Sequence, residues 1–183
     1  MGEIRGPWGS EGPPACWCQF SPDRTDNTPR DHFAKYQGWM HADGYAGFED
    51  LHRSSDIREV ACMAHVRRKF VDVHKAQGSA IADEAIRRIA QLFSVEKEAR
   101  RSPPDCYVEL RQLKAKPIFD DMKVWLHAQF PGISGKSPLA GVIRYALTRM
   151  ARLRPYLDHG LLELDTDDVK KPLFSKFSKL SGF

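Results

Sequence analysis

The spacing of apolar residues along this chain changes near His65, and the change separates two kinds of region. Before that point the apolar runs are short and broken by turn residues. Ala15 to Phe20 is an aromatic, cysteine-rich run closed by Ser21, Pro22 and Asp23, which predicts a strand. Trp39 to Ala42 predicts a second brief strand after Gly38, and Ile57 to Cys62 a third. A short helix is expected to start at Thr28-Pro29-Arg30-Asp31, with Thr28 as N-cap and Pro29 in the first turn, and another to run from Tyr45 to Ser54. Strand, helix, strand is the order of a parallel crossover unit, whose reactive groups gather at the carboxyl ends of the strands. Asp43, just before Gly44, stands at such an end.

Beyond His65 the period becomes helical. Val66, Phe70 and Val73 share one face, and Ala82, Ala85, Ile86, Ile89, Leu92 and Phe93 share another. Gly78 separates the two helices and Ser79 is the expected N-cap of the second. A third helix is predicted from about Val108 to Gln129, with Leu110, Leu113, Ile118, Met122, Trp125 and Leu126 inward, and Pro117 must start, kink or split it. For the fourth, Ser137 caps, Pro138 occupies the first turn, and Leu139, Val142, Ile143, Ala146, Leu147 and Met150 recur at steps of three and four. Arg154 to Asp158 predicts a short fifth piece stopped by Gly160, and Leu161 to Leu164 a strand. The first fourteen residues, rich in glycine and proline, predict an irregular segment. Lys170 to Phe183, with four lysines and no acid, reads as a frayed tail.

Composition narrows the class. With 42% hydrophobic residues the chain can bury a core, and none of its apolar runs approaches the roughly 20 residues needed to cross a bilayer. An intracellular, cytoplasmic protein with no membrane partner is expected. Cys16, Cys18, Cys62 and Cys106 lack the density of a disulfide scaffold, so reduced thiols are expected. A net charge of +4 permits nucleic-acid binding without requiring it.

Several local signals have a plain structural reading beside the chemical one. Gly135-Lys136-Ser137 matches the end of a phosphate-binding loop, but Phe130 stands where the loop needs its first glycine, so a helix N-terminus explains these residues better. Cys62, His65 and His74 fall short of the four ligands of a structural zinc, and packing accounts for Cys62. Arg67-Arg68-Lys69 opens one helix and Arg87-Arg88 lies on the next. Either run suits phosphate oxygens, and either suits a solvated helix face. Asp43 is placed as a metal-dependent nuclease would place a carboxylate, although two-metal phosphoryl transfer needs several convergent carboxylates.

The segment Trp17 to Asp31, the block His41-Ala-Asp-Gly-Tyr-Ala-Gly-Phe48 and the block Arg58-Glu-Val-Ala-Cys-Met-Ala-His-Val-Arg-Arg-Lys-Phe70 closely resemble the transposases of insertion-sequence family sixty-six. Gly78 to Ala82, Gly135-Lys-Ser137, Ile143-Arg-Tyr-Ala-Leu147 and Tyr156 through Asp165 resemble that family in the same order. The resemblance implies an α/β fold, an incomplete ribonuclease H-like catalytic domain with a mainly α-helical insertion. It implies a DDE site in which two Asp and one Glu hold two divalent metals, Mg or Mn, with Asp43 as the second Asp and a metal ligand. It implies DNA, the transposon ends, as partner of the intact enzymes, with Arg67, Arg68 and Lys69 as candidate DNA-binding residues. The expected organisation is an irregular segment over 1–14, a partial ribonuclease H-like core over 15–64, a helical insertion over 65–160, and a return strand with divergent tail over 161–183.

The chain also departs from the family pattern. The first catalytic Asp of the family lies upstream of every residue matched here, and Asp23, Asp26 and Asp31 stand in turn and helix-start sequence. Lys170 falls at the position of the catalytic Glu, where a cation repels a metal. The expectation is a truncated transposase-derived fragment, nucleoid-associated if bound to DNA and inactive alone. Two alternatives remain: a DNA-binding or interfering fragment that associates with full-length transposase, or one piece of a split transposase.

Overall fold

A computed structural model describes residues 2–4, 15–17, 33, 35–42, 56–99 and 106–165. Four strands and five α-helices are present among them: β1 (Gly2–Ile4), β2 (Ala15–Trp17), β3 (Gly38–His41), β4 (Ile57–Val60), α1 (Met63–Gln77), α2 (Ala80–Ala99), α3 (Cys106–Leu110), α4 (Lys116–Gln129) and α5 (Pro138–Leu153). The chain divides into two compact units, Met1–Glu59 with Thr166–Phe183, and Val60–Asp165. The secondary structure is mostly helical with small two-stranded sheets, compatible with an α/β chain.

In the first unit β1 and β2 pair antiparallel, with Glu3 opposite Cys16. β3 and β4 form the second sheet. The Gly38 N–H donates to the Asp56 carbonyl at 3.2 Å, which joins the start of β3 to the residue just ahead of β4. Two strands tied at their starting ends run in the same direction, the sense expected of a crossover unit. Gly38 takes a φ of 134°, a conformation that a side chain would strain. The Tyr36 hydroxyl donates to the Trp39 carbonyl at 2.8 Å, and Arg58 lies over the Trp39 ring. The helix expected at Thr28-Pro29-Arg30-Asp31, the helix expected over Tyr45 to Ser54, and the tail from Lys170 all lie outside the described residues.

In the second unit the helices close a ring. α1 packs on α2 and α5, and α4 packs on α2 and α5. Each contributes the stripe its spacing predicts: Val66, Phe70 and Val73 from α1; Ala82, Ala85, Ile89 and Leu92 from α2; Met122 and Leu126 from α4; Leu139, Ile143, Ala146 and Met150 from α5, all buried. The helix ends follow local chemistry. Gly78 ends α1 in the left-handed region at φ 62° and its N–H donates to His74 O at 2.8 Å. The Ser79 hydroxyl accepts from the Ala82 N–H at 3.2 Å, and the Ser137 hydroxyl from the Ala140 N–H at 3.1 Å.

The third predicted helix is where periodicity misleads. α3 and α4 form one rod through a π-helical turn, Arg111–Ala115, in which the Lys116 N–H reaches the Arg111 carbonyl five residues back. Such a turn holds an extra residue, so it rotates the faces on either side against one another. It ends two residues before Pro117, which has no N–H to give and whose ring would crowd the preceding turn of a regular helix. As a result Leu113, expected inward, is 73% exposed, while Arg111 is fully buried.

The strand expected over Leu161 to Leu164 is also corrected. The Leu162 N–H closes a turn onto His159 O at 3.0 Å, and the following residues are irregular chain. The Met63 N–H donates to Leu164 O at 3.0 Å, while Leu162, Leu164 and Asp165 are buried. Burial of alternate leucines suits a strand, but a single described bond at the head of a helix makes no ladder.

Candidate functional site

Asp43 lies outside the described residues; the chain leading to it is β3 followed by the buried Ala42. Among the described residues no three His, Cys, Asp or Glu side chains converge as metal ligands. Cys62 is buried at the passage from β4 to α1, and His74 Nδ1 lies 3.2 Å from the Ser79 carbonyl, a helix-end contact.

Arg67, Arg68 and Lys69 are all exposed on α1. Successive helical residues point about 100° apart, so three in a row spread over much of the circumference and do not share one face. Lys69 is the one that leans toward α5, its Nζ 4.9 Å from the centre of the Tyr145 ring. On α5, Arg149 stands over the same ring, with Cζ at 5.2 Å. Arg144 donates through both terminal nitrogens to the Gly135 carbonyl, each at 3.1 Å. Gly135 thus serves as a carbonyl acceptor and Ser137 as a helix cap, with no phosphate loop formed.

The second basic run is engaged within the protein. Arg87 pairs with Asp83 and Glu84 along α2. Arg88 pairs with Glu84 on its own helix and Asp121 on α4, and lies 4.8 Å over the Trp125 ring. Lys116 and Arg154 both bind Asp120, and these two hydrogen bonds, Lys116 first, hold its carboxyl below the usual carboxylate range. Lys114 pairs with Glu98.

Two arrangements were missed in the sequence. One is the shared Tyr145 ring, although the absence of any acid from Pro138 to Leu153 could have pointed to it. The other is a buried ion pair: Arg111 Nη2 and Nε reach the two Glu96 oxygens at 2.7 and 2.8 Å. Arg111 also donates to the carbonyls of Tyr156 and His159, and its guanidinium lies over the Tyr107 and Tyr156 rings. Every part of this pair faces protein, so its chemistry is structural. Burial first, and then the Glu96 charge, push the Tyr156 hydroxyl well above the ordinary tyrosine range.

The sequence profile described as Transposase IS66 family matches residues 5–172. The chain belongs to this family. Among its relatives are three uncharacterized proteins of Sinorhizobium fredii strain NBRC 101917 / NGR234. Protein y4jD is 34% identical over 175 residues, covering 92% of this chain and 34% of that protein. Protein y4qI is 31% identical over 174 residues, covering 91% and 32%. Protein y4hP is 31% identical over 185 residues, covering 92% and 34%. The chain therefore spans about a third of the length of these curated relatives. No solved structure matches it. The IS66 match makes this a transposase-related protein, and no described helix is long and apolar enough to cross a membrane.

Proposed function

We propose that this chain corresponds to the central part of a DDE transposase with a ribonuclease H-like core, and that by itself it neither cuts nor joins DNA. The observation that carries this reading is the IS66 match over residues 5–172, which includes Asp43. Asp43 would hold one position of a centre for divalent Mg or Mn, whose ions would supply activation of the attacking oxygen on transposon-end DNA. In-line phosphoryl transfer needs several carboxylates converging on the metals. Lys170 stands where the family places its Glu, and a lysine ammonium opposes a cation instead of holding it. In this reading exposed cations of the Arg67-Arg68-Lys69 run would meet the DNA backbone, the arginines offering a two-pronged fit to phosphate.

The test is nicking of supercoiled plasmid by the purified chain with magnesium or manganese, with Asp43→Ala in parallel. No nicking by either protein is the expected result. Nicking that disappears in Asp43→Ala would overturn the inactive reading and assign the remaining carboxylates to this chain, Asp167 and Asp168 first.

A further inference from the structure

The π turn sets two consecutive side chains, Arg111 and Gln112, against the stretch of chain that leaves α5. That stretch closes α5 with a short 3-10 turn, Arg154–Leu157, and runs on to Asp165. Carbonyls at the end of a helix have no intrahelical N–H to accept from. Here they are met from the side. Arg111 Nη1 donates to the carbonyls of Tyr156 at 3.0 Å and His159 at 3.2 Å. Gln112 Nε2 donates to the Leu157 carbonyl at 3.1 Å and to the Asp158 carboxylate at 2.7 Å. Four residues in a row are thus gripped by two in a row. Glu96 takes the other donors of the guanidinium, Nε and Nη2, at 2.8 and 2.7 Å, which leaves Nη1 aimed at this stretch. Gly160 lies close against α3, where an added Cβ would stand 3.6 Å from Val108 Cγ2. Farther on, Leu162 and Leu164 are buried, and the Leu164 carbonyl accepts from the Met63 N–H at the head of α1. The chain therefore enters the helical unit after β4 and leaves it beside its point of entry.

We propose that Glu96, Arg111 and Gln112 form a clasp that closes a strap, residues 156–165, on the helical unit, and that the strap opens as one piece when the clasp is broken while the ring of helices stays folded. The strap has few other backbone bonds to hold it. Past the turn at His159 it makes no regular structure, and one described backbone bond, from Met63 to Leu164, ties it to the helices. Segments so sparsely bonded open at free energies well below that of the whole fold. The buried Leu162 and Leu164 anchor its far end, and the clasp holds its near end. An exit closed beside the entry lets a helical body be set into another fold, since the flanking chain need span no gap. The clasp goes beyond the transposase reading and needs no part of it. One consequence rests on that reading: the strap is the last described stretch before Lys170, the position of the family's Glu, and the clasp sets where that stretch departs from the helical unit.

The experiment is amide hydrogen exchange of the full chain, followed residue by residue by NMR. Its reporters are the N–H groups of Met63, Asp158, His159 and Leu162, all bonded within the strap or to it. Gln112 is half-buried, so it can be changed without opening the core. Gln112→Met keeps the length of the side chain and loses its donor, whereas Gln112→Lys restores an N–H donor facing Asp158. In Gln112→Met the four reporters exchange about tenfold faster, the effect of losing the bonds made by one side chain. The amides of Val66, Phe70, Ile89 and Ile143, inside the helices, keep their wild-type rates. Gln112→Lys returns the reporters to wild-type rates. Reporters unprotected in wild type, unchanged rates in Gln112→Met, equal acceleration inside the helices, a Met63 amide that does not follow the other three, or no recovery in Gln112→Lys would each overturn the clasp. Plasmid nicking bears only on the inactive reading and exchange only on the clasp, so either can fail without the other.

Discussion

The α2–α4 side and the α1–α5 side of the helical unit are both rich in lysine and arginine, and the contacts described for them differ in kind. On the first, Arg88 joins two helices through Glu84 and Asp121, and Asp120 gathers Lys116 and Arg154. On the second, Lys69 and Arg149 gather on an aromatic ring in helices that carry one acid between them. Paired charges tie α2 to α4, and cations stacked on one ring tie α1 to α5. A net charge of +4 is the sum of these two arrangements and describes neither.

Substitutions at the buried end of the paired side break the comparison most severely. Glu96→Ala strands the Arg111 guanidinium in the core, where both partners are almost fully buried. The expected loss is about 3–5 kcal/mol in chemical denaturation. Glu96→Leu together with Arg111→Met removes both charges and recovers much of that stability, since the pair's own desolvation cost disappears with it. Equal instability in the single and double variants would show that shape, and not charge, governs the site.

A smaller effect separates the two sides directly. Arg88→Ala loses its bonds to Glu84 and Asp121 and its contact with Trp125, for about 1 kcal/mol. Arg68→Ala, on the exposed surface of α1, shifts stability by less than about 0.5 kcal/mol. Thermal melts of the two variants make the measurement, and a larger loss at Arg68 would reverse the assignment of roles.

The smallest effect at neutral pH is that of Tyr156→Phe. The Tyr156 hydroxyl is buried and has no hydrogen-bond partner among the described residues. Removing it changes stability little near pH 7. Its ionisation is disfavoured in the folded chain, first by burial and then by Glu96, against the partial help of Arg111. The unfolded tyrosine loses its proton near about pH 10 while the folded one keeps it. The contribution of this group is therefore complete below about pH 10 and is lost as pH rises beyond it. Urea titrations at rising pH should show a steeper decline for wild type than for Tyr156→Phe, and parallel declines would remove the group from the account.

The elements that could be read in advance are those whose cause is local. Gly78, Ser79, Ser137 and Pro138 mark their helix ends because each acts on backbone groups within a few residues. Val66, Phe70 and Val73 are inward because a regular helix repeats its faces. Leu113 was misassigned because the π turn before Pro117 breaks that repeat, and a reading at 3.6 residues per turn carries the wrong phase across it. Leu161 to Leu164 was misassigned because strand-like alternation gives no information about whether a neighbouring strand exists to complete a ladder. The expectation at Asp43 came from a motif block, and that residue lies outside the described ones.

By itself the sequence determined family membership, the helix ends at Gly78, Ser79 and Ser137, the apolar stripes of the helices that keep a regular repeat, and the surplus of cations, since these follow from residue identity and spacing along one chain. Only the tertiary structure decided which charges are neutralised. Arg111 and Glu96 are fifteen residues apart and meet in the core, and Arg88 and Asp121 are thirty-three apart and meet across two helices. Lys69 and Tyr145 meet only because α1 packs on α5. Coulomb attraction and desolvation depend on separation and burial in space, and neither quantity is written in the order of the residues.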